Sequence, residues 1–407
     1  MEKLAINGGE PVRKNPWKVG FPIGEDEKKA VCEVLDNGWI SRFRGGNNVR
    51  IFERSFAEYC GSEYGIATTS GTTALHTALS ALNLSPGDEV IVPSLTFVST
   101  ASIILQENAI PIFADISNKT FCMDTEDLER KINSHTKAII PVHLFGHPAD
   151  MDNILKLADK YGLYVIEDAA QAHGASIKNK KTGSFGNLGC FSFFQTKNMT
   201  CGEGGMVLTN DPELYKQAKL SREHGSPENE KGWYFYDRLG FNYNMTEIQA
   251  AIGLVQLGKL NSMNEQRRRN SKFYQEQLSG LDLKFVEDQN DCHNVCHNFP
   301  IILPEKFNGK RDLFVKAVSA EGVPIDICYP IPLYKTELFL NKHVLNKFCP
   351  EVYSRYGSDF SYKDSNCFNA ESVSSRIINL FTDPLLPEDL RSDIAESVKK
   401  VINNYEP

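Results

Sequence analysis

Between residues 64 and 174 the chain repeats one alternation, a short apolar run followed by a stretch with helical periodicity. The runs are YGIATTSG (64–71), EVIVPS, IPIFADI, KAIIPVHLF and LYVIEDAA. Between them lie TTALHTALSALNLSPGDE (72–89), MDTEDLERKI and DMDNILKLADKYG. Runs apolar on both faces suit strands covered on both sides, as in parallel sheets whose crossovers are helices. The spacing predicts a doubly wound, mostly parallel α/β sheet. Residues 24–38 and 49–61 read as two preceding helices, each closed by a glycine.

The pattern changes after about residue 250. Residues 246–280 form one long helical pattern with Thr246 as a candidate N-cap, which reads as a spine between domains. HNFPIILP and PIDICYP then read as strands, KRDLFVKAVSAEG and PEDLRSDIAESVKKVINNY as helices. The expected division is a large α/β domain over 1–250, then the long helix and a small C-terminal α+β domain over 251–407.

Composition excludes some partners. The net charge of -8 argues against a nucleic-acid or anionic-membrane partner, which would need a basic face, but does not forbid an anionic small substrate in a local pocket. Ten cysteines without framework spacing read as reduced thiols of a cytoplasmic protein. MEKLAINGGEPVRKNPW lacks the apolar centre of a secretory signal. No run approaches the ~20 apolar residues needed to span a bilayer.

Four segments carry chemistry together. SGTTALH (70–76) places a glycine in a strand-to-helix turn, where free helix amides favour an anion. VIEDAAQAHG (165–174) ends a buried strand on Glu167 and Asp168, where ligands of open α/β sheets bind; capping of a following helix by Asp168 is the alternative. GCFSFFQTKNMTCGEGGMVLTND (189–211) sets Lys197 beside Phe191, Phe193 and Phe194, so that desolvation favours the neutral amine. LGFNYNMTEIQAAIG (239–253) places polar residues before an apolar helix. Pyridoxal phosphate (PLP) requires a lysine for its aldehyde, an acid for its pyridine nitrogen, a phosphate cup and a face for its ring. The chain offers a candidate for each, with Asp168 29 residues before Lys197.

On SGTTALH, PGDEVIVPSLTFVST, EDAAQAHG, FSFFQTKNMTCGEGGMVLTN, GFNYNMTEIQAAIG and PIDICYPIPL, the sequence resembles the DegT/DnrJ/EryC1/StrS family. These are fold type I aminotransferases of sugars and cyclitols. The resemblance implies PLP held as a Schiff base on Lys197, which also shuttles the proton. It assigns Asp168 to the pyridinium nitrogen, Gln171 to the phenolic oxygen and Phe97 to the ring face. The Gly71 turn, the Thr72 and Thr73 amides and the Ser192 hydroxyl would hold the phosphate. Asn242 would reach the neighbouring subunit's phosphate, making the active unit a homodimer.

Glutamate or glutamine would be the amino donor and a keto-sugar or keto-cyclitol the acceptor, in amino-sugar, aminocyclitol or antibiotic biosynthesis. LAINGGEPVR resembles the branch of scyllo-inosose aminotransferases and aminohydroxybenzoate synthases. Three positions depart from the family's pattern: Phe194-Gln195 where a histidine often stands, Asn244 for a basic residue, and Cys328 for a histidine. The last two point away from a nucleotide-linked sugar, which stays the alternative acceptor. A sugar dehydratase of this family would carry histidine in place of Lys197, and a non-catalytic regulator would not need Asp168, Gln171 and Lys197 together.

Three features read as structural. Cys292-His293 and Cys296-His297 read as alternating strand residues rather than metal ligands. Arg267-Arg268-Arg269 reads as a solvated helix face, and Cys201 as a small packing residue.

Overall fold

The protein is described from a computed structural model over residues 2–227, 234–287, 289 and 291–404. Strands β1 (Tyr64–Thr68), β2 (Glu89–Pro93), β3 (Ile110–Ala114), β4 (Thr136–Ile139) and β5 (Tyr164–Asp168) are the expected apolar runs. A two-residue hairpin of β6 (Ser176–Ile177) and β7 (Lys180–Lys181) follows, then β8 (Leu188–Ser192) and β9 (Gly205–Thr209). Seven of these form one sheet in the order β1-β9-β8-β5-β4-β2-β3. Only β9 runs against the others, pairing antiparallel with both β1 and β8. The order reverses between β2 and β4, and the carboxyl ends of the parallel strands leave a crevice that Asp168 reaches from β5.

Helix α1 (Glu25–Asn37) packs on the long helix that follows residue 246, while α2 (Asn48–Cys60), α3 (Gly71–Ala81), α4 (Ser99–Gln106), α5 (Thr125–Lys131), α6 (Met151–Tyr161) and α7 (Pro212–Arg222) cover the sheet. α3 is shorter than its sequence pattern, because the turn at 83–88 begins earlier. α4 was not expected: VSTASIIL is apolar and β-branched like a strand, yet Thr100 and Ala101 already turn their amides back to Phe97 and Val98. The long helix α8 (Glu247–Gln277) begins at Thr246, whose side chain accepts from the Gln249 amide while Gln249 reaches back to the Thr246 amide.

Beyond α8, β10 (Lys284–Phe285), β11 (Cys292–His293), β12 (Phe299–Ile302) and β13 (Ile377–Leu380) follow. β10, β12 and β13 form a small sheet under α9 (Arg311–Ala320) and the helix Glu388–Asn404. Tyr405, included in the expected last helix, lies outside the described residues. PIDICYP is not a strand: it makes only one bridge, Asp326 to Asn379, and turns at Tyr329 (φ 56). The strand expected over NVCHNFPIIL is confined to its last residues, since Cys296 has left-handed backbone (φ 49).

Two segments cross the 250/251 division. Leu4 and Val19 pack with Phe299, Phe314 and Ile394, and Leu333, Tyr334, Phe339 and Tyr362 pack into the core of the large sheet.

Candidate active site

Asp168 is the last residue of β5, and only 5% of its surface is exposed. Successive side chains of a strand face opposite ways, so Glu167 points into the layer behind the sheet and Asp168 into the crevice. No helix follows, so Asp168 caps none; residues 169–175 form turns. Its carboxylate accepts from the Thr100 hydroxyl at 2.8 Å and the Ala170 amide at 3.2 Å. Burial pushes its pKa up, opposed by those two donors and by the charge of Lys197.

Lys197 sits in the turn after β8, its amide bonded to Phe194 O at 2.9 Å. Its side chain shares a cavity of about 650 Å³ with Asp168. Burial pushes its pKa down, opposed by the charge of Asp168, so the neutral amine is more accessible than on a surface lysine. The Cys328 thiol, pushed up to about 12 by burial and by Asp326, stays protonated.

The end of α3 builds an anion cup on the same cavity. Ser70 caps the helix by accepting the Thr73 amide at 3.2 Å, and the Ala74 amide bonds Ser70 O at 3.0 Å. The two preceding amides, of Gly71 and Thr72, have no partner within the helix and are left for a ligand. Ser192 faces them so closely that a Cβ on residue 71 would lie 2.6 Å from Ser192 Cβ. Gly205 serves the same packing, since a Cβ there would strike Ser70 O at 2.2 Å.

Gly71, Thr72, Phe97, Asp168, Gln171, Ser192 and Lys197 all line this cavity. Phe97 is 59% exposed, so a ring face is open to a planar ligand. Gln171 is oriented by the backbone: its Oε1 accepts from the Phe145 amide at 2.8 Å and its Nε2 donates to the Tyr329 hydroxyl at 2.6 Å. Thr73 and Asn242 do not join them. The Thr73 amide is committed to the Ser70 cap, and Asn242 is an exposed residue whose Oδ1 accepts from Asn244 Nδ2 at 2.9 Å.

The sequence reading missed two residues of the cavity. Arg267, expected on a solvated face, is 3% exposed; it bonds His297 O and Thr382 Oγ1, both at 3.4 Å, and lies 3.7 Å from Asp383. The signal was its register, since α8 buries Gly253, Gln256, Leu260, Met263, Arg267, Asn270 and Tyr274 at spacings of three and four. His297, expected to alternate in a strand, instead turns its ring to the cavity. Cys292 and His293 of β11 pair with β6, and among the described residues no group of three or more His, Cys, Asp or Glu could hold a metal. Cys201 is buried, with its thiol 3.2 Å from Glu203 O.

Residues 22–399 match the model of the DegT/DnrJ/EryC1/StrS aminotransferase family. The chain is 38% identical over 383 residues to a UDP-N-acetyl-3-dehydro-α-D-glucosamine 3-aminotransferase of Acidithiobacillus ferrooxidans, covering 94% of this chain and 95% of that protein. It is 42% identical over 300 residues to a GDP-perosamine synthase of Caulobacter vibrioides, covering 73% and 80%. The solved structure of 3-amino-5-hydroxybenzoic acid (AHBA) synthase superposes with a TM-score of 0.85 at 27% identity, covering 96% of this chain and 100% of that one.

Proposed function

The chain belongs to the DegT/DnrJ/EryC1/StrS family of PLP-dependent sugar aminotransferases, and from that premise we propose that it moves an amino group from glutamate or glutamine to the ketone of a nucleotide-linked sugar. The observation that carries this is a lysine with a depressed pKa and a buried carboxylate sharing one cavity with the open N-terminus of α3. That set fits PLP: Lys197 for the aldehyde, Asp168 for the pyridine nitrogen, and Gly71, Thr72 and Ser192 for the phosphate. Gln171 would meet the phenolic oxygen with its remaining N–H, and Phe97 the ring. When bound, PLP supplies an electron sink for the carbon that loses or gains the amine.

The chain's own groups do the rest. Asp168, ionised against a cationic partner, holds a proton on the cofactor nitrogen, which a buried carboxylate can do only when paired. Lys197 Nζ takes the proton from the amine-bearing carbon of the donor and, in the reverse sense, returns one to the former ketone carbon of the acceptor. Gln171 keeps a fixed donor direction because the Phe145 amide holds its oxygen. Lys197, where a dehydratase would carry histidine, speaks for transfer rather than dehydration.

The names of the two curated relatives favour a UDP- or GDP-linked acceptor over the cyclitol suggested by the N-terminal segment. Arg42 Nε donates to Asn244 Oδ1 at 3.2 Å, but its guanidinium is paired with Glu223 at 2.8 Å and does not replace the charge absent at Asn244. A free keto-cyclitol or similar ring is the second reading, favoured by the neutral Cys328 in the cavity and by the likeness to AHBA synthase. We assign the active unit as a homodimer with Asn242 serving the neighbouring site, and the location as cytoplasmic. Among the described residues no helix is long and apolar enough to cross a membrane.

Transfer should be measured with glutamate and glutamine against UDP- and GDP-linked keto-sugars and against scyllo-inosose-type ketones. Turnover of nucleotide sugars supports the proposal. Turnover of cyclitol ketones alone overturns the acceptor assignment and leaves the second reading.

A further inference from the structure

His297 lies on the cavity of Lys197 and Asp168 and has no part in the scheme above. Its backbone is held on both sides: its amide donates to Phe145 O at 2.9 Å, and its carbonyl accepts from Thr382 Oγ1 at 3.1 Å and Arg267 at 3.4 Å. Its ring is held by a relay that leaves one tautomer. Asn264 Nδ2 donates to His173 O at 2.7 Å, so Asn264 Oδ1 is an acceptor. Asn198 Nδ2 donates to that oxygen at 2.8 Å and to Val295 O at 3.2 Å. Asn198 Oδ1 is therefore the atom 2.9 Å from His297 Nδ1, and Nδ1 must carry the hydrogen.

The two backbone carbonyls fix both amides, since turning either one sets oxygen against oxygen. Nε2 is left as a bare lone pair, on a residue only 6% exposed whose exposed surface is the cavity. Burial, with Lys197, Arg267 and His173 around it, holds the ring neutral far below the usual histidine range. A neutral acceptor repels a carboxylate, so it does not serve the donor's acid groups. Arg267, the nearby cation, is already engaged with Thr382 and Asp383. A hydroxyl is the substrate group that such a nitrogen recognises.

We propose that His297 is a specificity-determining residue, whose Nε2 accepts a hydrogen bond from an acceptor hydroxyl next to the ketone carbon. The proposal rests on the keto-sugar reading of the acceptor. Each sugar lacking that hydroxyl leaves the nitrogen desolvated and unpaired, which is how a polar pocket rejects a deoxy analogue.

The test uses PLP-loaded wild type, His297→Phe and, should that variant fold poorly, His297→Gln. Donor and acceptor half-reactions are followed separately, with a keto-sugar and its deoxy analogue. The expected loss for His297→Phe is about tenfold or more in kcat/KM for the hydroxylated sugar. It should fall in the acceptor half-reaction and vanish with the deoxy analogue. ¹⁵N spectra of histidine-labelled protein without cofactor should show a protonated Nδ1 and a bare Nε2 for the signal missing from the variant. A protonated Nε2, or an equal loss with both sugars, overturns the assignment while leaving the keto-sugar reading in place. A wild type that transfers to no keto-sugar overturns that reading and this one with it.

Discussion

Glu167 and Asp168 are consecutive, yet their carboxylates leave β5 in opposite directions with opposite fates. Glu167 is closed among four donors: His143 Nε2 at 2.9 Å and the amides of Gly183, Phe185 and Gly186 at 2.7, 2.6 and 2.8 Å. The Ala149 amide donates to His143 Nδ1 at 3.0 Å, so Nε2 carries the proton that Glu167 accepts. Asp168 faces the cavity with two donors and room for a cationic partner. One carboxylate holds the strand end in place and the other is presented by it.

The two should therefore separate stability from activity. Glu167→Gln puts an NH2 against donors in a fully buried site, and should lower unfolding free energy by roughly 3 kcal/mol in urea denaturation. Asp168→Asn removes a carboxylate that burial disfavours in the cofactor-free protein. It should cost apoprotein stability less than about 1 kcal/mol, while transfer falls at least ~100-fold.

Gly71→Ala tests the anion cup. A methyl group there meets Ser192 Cβ at 2.6 Å and Cα at 3.2 Å, so the cup must widen. PLP titrated by absorbance should bind at least ~10-fold more weakly, a loss of about 1.4 kcal/mol. Unchanged affinity would place the phosphate elsewhere.

His173 gives the protein a predictable acid sensitivity. Burial, and then the charge of Lys197, lower its pKa to about 3, while its Nε2 donates to Ser192 O at 2.8 Å. Unfolded, it titrates near 6.5. The folded state thus refuses a proton that the unfolded state takes. Stability is full above about pH 6.5 and is lost as pH falls toward 3, by about 1.4 kcal/mol per pH unit for this group. In His173→Gln, urea unfolding between pH 6 and 4 should lose about that much slope, even if the variant is less stable at neutral pH.

The meeting of Asp168, Gly71 and Lys197 on one cavity was legible because each sits where backbone geometry forces it. Asp168 ends a run that can only be a buried strand, Gly71 opens a helix, and Lys197 follows a strand too apolar to lie outside. Arg267 was obscured by its neighbours Arg268 and Arg269, since three arginines in a row suggest solvent, and only the stripe of α8 marks the first as buried. His297 needed its partners Asn198 and Asn264, which are 99 and 33 positions away in sequence. The same limit hid the return of 333–373 to the first core, because local helical signals carry no address. Which amides of α3 stay free was not legible, because that requires knowing that Ser70 caps the helix through the Thr73 amide.

The absorption spectrum of purified protein with PLP, recorded before and after glutamate or glutamine, tests the role of Lys197 most directly. Wild type should form a lysine-dependent visible band that one of the donors bleaches toward the pyridoxamine form, and Lys197→Ala should form no such band. A wild type whose spectrum matches Lys197→Ala, or whose band ignores both donors, would contradict the assignment of Lys197 as the residue that holds the cofactor for amine transfer.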